Sequence, residues 1–169
     1  MVAGLVVQVV GFKNSGKTSL IEGIIRELKT LGIEPKVIKT THHLLEETDA
    51  GDTRRFLIAG ARETVLLTPN GIRYQSSIPR KLEEVVEELD GLVIVEGGRE
   101  VKRREWVGVI VIRREGELRA LMRPRTIAIV KSGRDFSREA RHLARTIAAM
   151  YKAQLSHAAF TAQHSANSS

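Results

Sequence analysis

Apolar positions along this chain fall into unbroken runs and helical stripes. Leu5–Val10 is an apolar run of strand length. Beyond a glycine-containing stretch, Leu20, Ile21, Ile24, Ile25, Leu28 and Leu31 recur at i, i+3 and i+4, which predicts an amphipathic helix. Gly32 stops it in the C-cap role and Pro35 follows shortly. Lys36–Thr40 reads as a second strand, completing a strand–helix–strand unit with a right-handed crossover and parallel strands. Asp52 or Thr53 caps a short helix through Phe56, Leu57 and Ile58 to Gly60. Thr64–Thr68 and Ile72–Gln75 flank Asn70-Gly71, a hairpin turn. Pro79 suits the first turn of a helix with Leu82, Val85, Val86 and Leu89 inward, closed by Asp90-Gly91.

Leu92–Val95 is a continuous apolar run ending in Glu96, the pattern of a central strand in a parallel sheet. Val107–Ile112 and Ile127–Val130 are further strands, with a turn at Arg114–Glu117 leading into Leu118. Ser137 caps a last helix that turns Ala140, Leu143, Ala144, Ile147, Ala148 and Tyr151 inward and carries Arg138, Arg141 and Arg145 on another face. From Ser156 onward the residues are small, polar and aperiodic, so 156–169 reads as a disordered tail and 1–155 as one domain. Strands alternating with helices imply an α/β three-layer sandwich: a mostly parallel sheet with an antiparallel hairpin extension.

The junction of the first strand and helix reads Gly11-Phe12-Lys13-Asn14-Ser15-Gly16-Lys17-Thr18-Ser19. Gly, four free positions and Gly-Lys-Thr between a strand and a helix form a phosphate-binding loop. In such a loop, successive backbone N–H groups and the helix N-terminus cradle an anion. Gly11 and Gly16 allow the conformation and clearance, Lys17 reaches the β- and γ-phosphates, and Thr18 coordinates Mg²⁺. Asn14, Ser15 and Ser19 add donors, and Lys13 adds a cation inside the loop. Glu96, at the carboxyl end of its strand, is the natural second half of a nucleotide–metal site.

The segment from Thr41 to Asp52 is aperiodic and holds Thr41, His42, His43, Glu46, Glu47, Asp49 and Asp52. On a strand parallel to the first it leaves from the edge where open α/β sheets bind ligands. His42, His43, Asp49, Asp52 and Arg99 are candidates for orienting an attacking oxygen, and none carries a signature of its own. His42 and His43 lack a third ligand at metal spacing. The basic stretch Gly97–Glu105 is a solvated loop or a phosphate clamp. A guanine-reading carboxylate usually follows a late strand, where Asp135 stands.

At 169 residues the chain can bury a proper core. It has no cysteine, which excludes disulfides and thiolate metal sites and is compatible with a reducing cytoplasm. No apolar run approaches the roughly 20 residues that span a bilayer, and Met1–Gly4 lacks the basic start of a signal peptide. The net charge of +7 suits polyanionic partners, but with 4% aromatic residues stacking platforms are scarce and nucleic acid is not the expected partner.

Across roughly residues 4–135 the chain resembles the molybdopterin-guanine dinucleotide biosynthesis protein B family. The likeness rests on the phosphate loop through Leu20, on Ile38-Lys39-Thr40-Thr41-His42-His43, on Gly51-Asp52-Thr53 with Ala59-Gly60-Ala61, and on Val95-Glu96-Gly97. The resemblance implies a P-loop NTPase fold and a homodimeric GTP-binding accessory protein with weak GTPase activity. It would assist the attachment of GMP to molybdopterin beside the guanylyltransferase. Gly11 to Thr18 would hold GTP phosphates, Thr18 and Glu96 the Mg²⁺ environment, and His42 and Asp52 would border the same cleft. Leu44-Leu45 and Gly98-Arg99 depart from the family pattern, which has acidic residues after the histidines and Phe-Lys after Glu-Gly. The alternative is a small-molecule or polynucleotide kinase on the same loop, against which stands the lack of a recognisable arginine-rich lid helix. A third reading is a nucleic-acid-binding NTPase, which requires steeply salt-dependent oligonucleotide binding.

Overall fold

A computed structural model describes residues 4–41 and 51–166, with side chains to residue 163. His42, His43, Glu46, Glu47 and Asp49 lie outside the described residues. Among the described residues, strands run in chain order as β1 (Leu5–Val10), β2 (Lys36–Lys39), β3 (Glu63–Thr68), β4 (Gly71–Ser76), β5 (Leu92–Glu96), β6 (Val107–Ile112) and β7 (Thr126–Lys131). The helices are α1 (Lys17–Thr30), α2 (Asp52–Ile58), α3 (Leu82–Glu87), α4 (Leu118–Leu121) and α5 (Ser137–Ala166).

Five strands form a parallel sheet in the order β2-β5-β1-β6-β7. The first strand–helix–strand unit is parallel as expected, but β5 lies between β1 and β2. The apolar runs explain this: every residue of β1 and β6 is buried, as are the first four of β5, whereas β2 is largely exposed at the edge. A strand apolar on both faces is stable only where helices cover both faces.

One face of the sheet packs Val7, Val9, Ile94 and Val109 against Leu20, Ile24 and Leu28 of α1 and Leu143, Ala144 and Ile147 of α5. The other face carries two smaller clusters. Val6, Val93 and Val95 meet Val86 of α3 and Trp106, while Val10, Ile110 and Ile112 meet Leu121 of α4. Alternation along β1 thus feeds both layers, as a period of two requires. Leu31 falls outside the α1 stripe, 40% exposed at the C-cap.

The chain divides into two compact units, Met1–Thr40 with Leu82–Ser169, and Thr41–Lys81. The second holds α2 and an antiparallel sheet of β3 and β4, paired Thr68 to Gly71 at its turn. Two expectations change. Pro79 precedes α3, which starts at Leu82, so it does not occupy the first turn. The last helix continues to Ala166, well past Ser156, where composition suggested a disordered tail. No Gly or Pro interrupts that segment, and Ser156 and Thr161 hydroxyls bond to the carbonyls of Lys152 and His157 four residues back. Backbone propensity carries this part of the helix, since its side chains are exposed.

Candidate nucleotide-binding site

The phosphate loop leaves β1 at Gly11 and enters α1 at Gly16. A Cβ on Gly11 would stand 2.5 Å from Ser15 Oγ and 2.6 Å from the Val111 carbonyl, so only glycine fits there. Gly16 has φ 92, in the left-handed region, and a Cβ would meet the Phe136 ring at 2.7 Å. Asn14 also turns left-handed at φ 60, which asparagine tolerates better than most residues. The Ser15 N–H donates to the Phe12 carbonyl at 3.3 Å, and its buried hydroxyl oxygen has no partner among the described residues.

Helix α1 starts without a side-chain cap and without an acidic residue in its first turn. Its leading N–H groups have no intrahelical acceptor, and the macrodipole makes that end positive. An uncapped, cation-bearing helix start is the form of a backbone anion site. Lys17 folds across the loop, its Nζ donating to the Phe12 carbonyl at 2.8 Å. Burial pushes its pKa below the ordinary lysine range; Glu96 pulls it back up, while Arg99, Lys39 and Arg113 reinforce the drop. These cations favour an anion between them.

Thr18 and Glu96, 78 residues apart, meet directly. The Thr18 hydroxyl donates to Glu96 Oε1 at 3.0 Å and lies 3.2 Å from Oε2. Parallel pairing of β1 with β5, Val9 opposite Glu96, sets the carboxylate beside the loop. Lys39 on the neighbouring strand reaches Glu96 Oε1 at 3.8 Å. One hydroxyl and one carboxylate beside a phosphate cradle are the hard oxygen donors Mg²⁺ takes when phosphates and water supply the rest. The residues fit that ion.

After Glu96 the chain turns through Gly97 (φ 94) and Gly98 (φ 61). Thr40 Oγ1 accepts the Gly98 N–H at 2.7 Å, and the Gly97 N–H donates to the Val9 carbonyl at 3.0 Å. Arg99 then lies over the Phe12 ring, its guanidinium carbon 4.7 Å from the ring centre, a cation–π contact. Phe12 also lines a recess of about 450 Å³ with Arg113, Arg114, Gly116, Glu117 and Ala120. Within that lining Arg113 donates from Nε and Nη2 to Glu117 Oε1 at 3.2 and 3.1 Å.

The structure thus brings together Gly11, Lys13, Asn14, Ser15, Gly16, Lys17, Thr18, Ser19, Glu96 and Arg99. Asp52 opens α2 in the second unit, where it pairs with Arg55 at 3.3 Å. Asp135 accepts the N–H and hydroxyl of Ser137 at the start of α5, which lowers its pKa. Sequence reasoning missed Lys39, Thr40, Gln8 and Arg123. Gln8 had left a signal, being the one polar residue within Leu5–Val10. Arg123 left none.

The comparisons with known proteins agree with this architecture. A family model described as molybdopterin guanine dinucleotide synthesis protein B matches residues 6–132. The chain is 32% identical over 133 residues to the probable molybdopterin-guanine dinucleotide biosynthesis adapter protein of Bacillus subtilis, an alignment spanning 74% of this chain and 75% of that one. It is 32% identical over 96 residues to the molybdopterin-guanine dinucleotide biosynthesis adapter protein of Haemophilus influenzae, spanning 53% of this chain and 54% of that one. The crystal structure of Bacillus subtilis MobB matches with a TM-score of 0.65 at 26% identity, covering 77% of this chain and 81% of that chain. The fold is that of the P-loop NTPases, and the expected family is the one found rather than a kinase family. This chain belongs to the molybdopterin guanine dinucleotide synthesis protein B family.

Proposed function

We propose that this protein is a GTP-binding adapter in molybdopterin-guanine dinucleotide formation, holding Mg²⁺·GTP and hydrolysing it slowly. The observation that carries the reading is the Thr18–Glu96 contact at 3.0 Å beside an uncapped helix start. The Gly11–Ser19 amides, Lys13 and Lys17 would hold the phosphates, with Thr18 and Glu96 in the Mg²⁺ environment. Mg²⁺ held by Thr18 and Glu96 would supply neutralisation of phosphate charge. His42 and Asp52 are carried as nucleotide-binding candidates by the family resemblance alone, and Asp135 would offer its carboxylate to guanine. Slow turnover is what the family resemblance implies; transfer needs a group that orients the attacking oxygen, for which His42, His43, Asp49, Asp52 and Arg99 are the candidates.

The adapter would work beside the guanylyltransferase on molybdopterin, in the cytoplasm. No described helix is long and apolar enough to cross a membrane. We further infer a homodimer. Val65 and Leu67 stand opposite Tyr74 and Ile72 in the hairpin, and all four side chains are more than half exposed. Such a row is unusual on a surface that meets only water.

Titration calorimetry with GTP and ATP, each with and without Mg²⁺, tests the nucleotide reading. GTP should bind more tightly than ATP and gain affinity from Mg²⁺; equal or tighter ATP binding defeats the guanine claim. Lys17→Ala should remove most of the affinity, and unchanged binding would rule out the site.

A further inference from the structure

Beneath the Glu96–Arg99 turn lies a buried polar cluster. Gln8 is 1% exposed on β1, and Arg123, between α4 and β7, is 4% exposed. The Arg123 guanidinium donates from Nε to Gln8 Oε1 at 3.1 Å and from Nη1 to the Leu121 and Met122 carbonyls at 3.1 and 3.2 Å. Its Nη2 donates to the Arg99 carbonyl at 2.8 Å. The Gln8 amide in turn donates to the Gly97 and Gly98 carbonyls at 3.0 and 2.7 Å. Gly108 on β6 leaves the room, since a Cβ there would stand 2.8 Å from Arg123 Cβ.

A buried cation is costly unless paired. Arg123 donates to no carboxylate among the described residues; its acceptors are three backbone carbonyls and an amide oxygen. Apolar residues would fill this space at lower cost. What the cluster does instead is fasten three consecutive carbonyls, Gly97, Gly98 and Arg99, to the central strand that leads into the phosphate loop. Those residues follow Glu96 directly and carry Arg99 onto Phe12. Left-handed φ at two successive glycines gives that turn no conformational preference of its own, so it needs an external clamp.

We propose that Gln8 and Arg123 are positioning residues for the metal side of the nucleotide site: they hold the Glu96–Arg99 turn so that carboxylate and guanidinium face the phosphate loop. The proposal rests on reading that site as a Mg²⁺·GTP site. It separates two contributions to affinity. The loop amides and Lys17 act on phosphate with or without the ion, whereas Glu96 acts through Mg²⁺.

The test uses Arg123→Met and Gln8→Met, the second of which leaves the guanidinium and its three backbone carbonyls intact. GTP affinity is measured in EDTA and in saturating Mg²⁺. Affinity in EDTA should stay near the native value, while the gain from Mg²⁺ falls about 10–100-fold, the usual effect of losing a group that orients a metal ligand. Amide exchange across Gly97–Arg99 should quicken in both variants without nucleotide. Variants that keep the full Mg²⁺ gain, that lose affinity equally in both buffers, or that leave this exchange unchanged overturn the positioning role. A native chain that binds no GTP in either buffer overturns the function proposed above, and this role with it. Native binding with an unaltered Mg²⁺ gain in the variants overturns the brace alone.

Discussion

Gly97 shows how a single position joins sheet, turn and site. Its φ of 94 is left-handed, and a Cβ would lie 2.4 Å from Thr40 Oγ1. Gly97→Ala should lose about 1–2 kcal/mol for the backbone conformation alone, with more from displacing Thr40, as read by urea denaturation. Two titrating groups both gain stability as pH rises, in different windows and for different reasons. The Ser137 hydroxyl and N–H hold Asp135 below its usual 3.8, so its contribution is full above that value and is lost as pH falls through the lowered folded pKa. Ser137→Ala should therefore flatten the acid limb of stability against pH. Lys17 has the same sign from another cause, because burial disfavours its charged form and lowers its pKa. Between its lowered folded value and the ordinary 10.5, the unfolded chain binds the extra proton, so stability gains as pH rises through that window. Lys17→Met should remove this gain, visible as a smaller rise in melting temperature toward alkaline pH.

At the scale of elements, α1 and α5 form one layer over the sheet, and their buried stripes were readable because helical spacing is local. Ile147 is 0% exposed in that layer. Ile147→Ala should lose about 2–5 kcal/mol through lost transfer energy and the cavity left behind, measured by chemical denaturation. The distal end of α5 behaves differently. Its side chains from Lys152 to Gln163 are exposed, so truncation after Leu155 should lower helical circular dichroism while leaving the melting temperature almost unchanged. Composition misread this segment because an Ala-rich polar stretch has no apolar stripe, and a helix needs no stripe where propensity and an existing helix extend it. Pro79 misled for a related reason: a local signal for a helix start was overridden by where Leu82 and Val86 could reach their cluster.

At the scale of the whole molecule, the units of Met1–Thr40 with Leu82–Ser169 and of Thr41–Lys81 divide the work. The phosphate loop, Glu96, Arg99 and the Gln8–Arg123 brace all lie in the first. The exposed row on the hairpin belongs to the second. If that row forms the dimer, Leu67→Glu with Ile72→Lys should shift sedimentation from dimer to monomer while GTP still binds through the first unit.

The sequence by itself determined the phosphate loop, its flanking strand and helix, and the family, because these depend on consecutive residues and their backbone. It also marked Thr18 and Glu96 as a pair, since an apolar run ending in a carboxylate identifies a strand end. Only the tertiary structure decided that they touch. Strand order set by burial on both faces puts β5 beside β1, and a register of Val9 opposite Glu96 brings the carboxylate to the hydroxyl. It alone decided that Arg123 reaches Gln8 across 115 residues of chain. A single arginine between Met122 and Pro124 has no local pattern to announce it; its distant partners, Gln8 and the Arg99 carbonyl, are in reach only once the sheet is assembled.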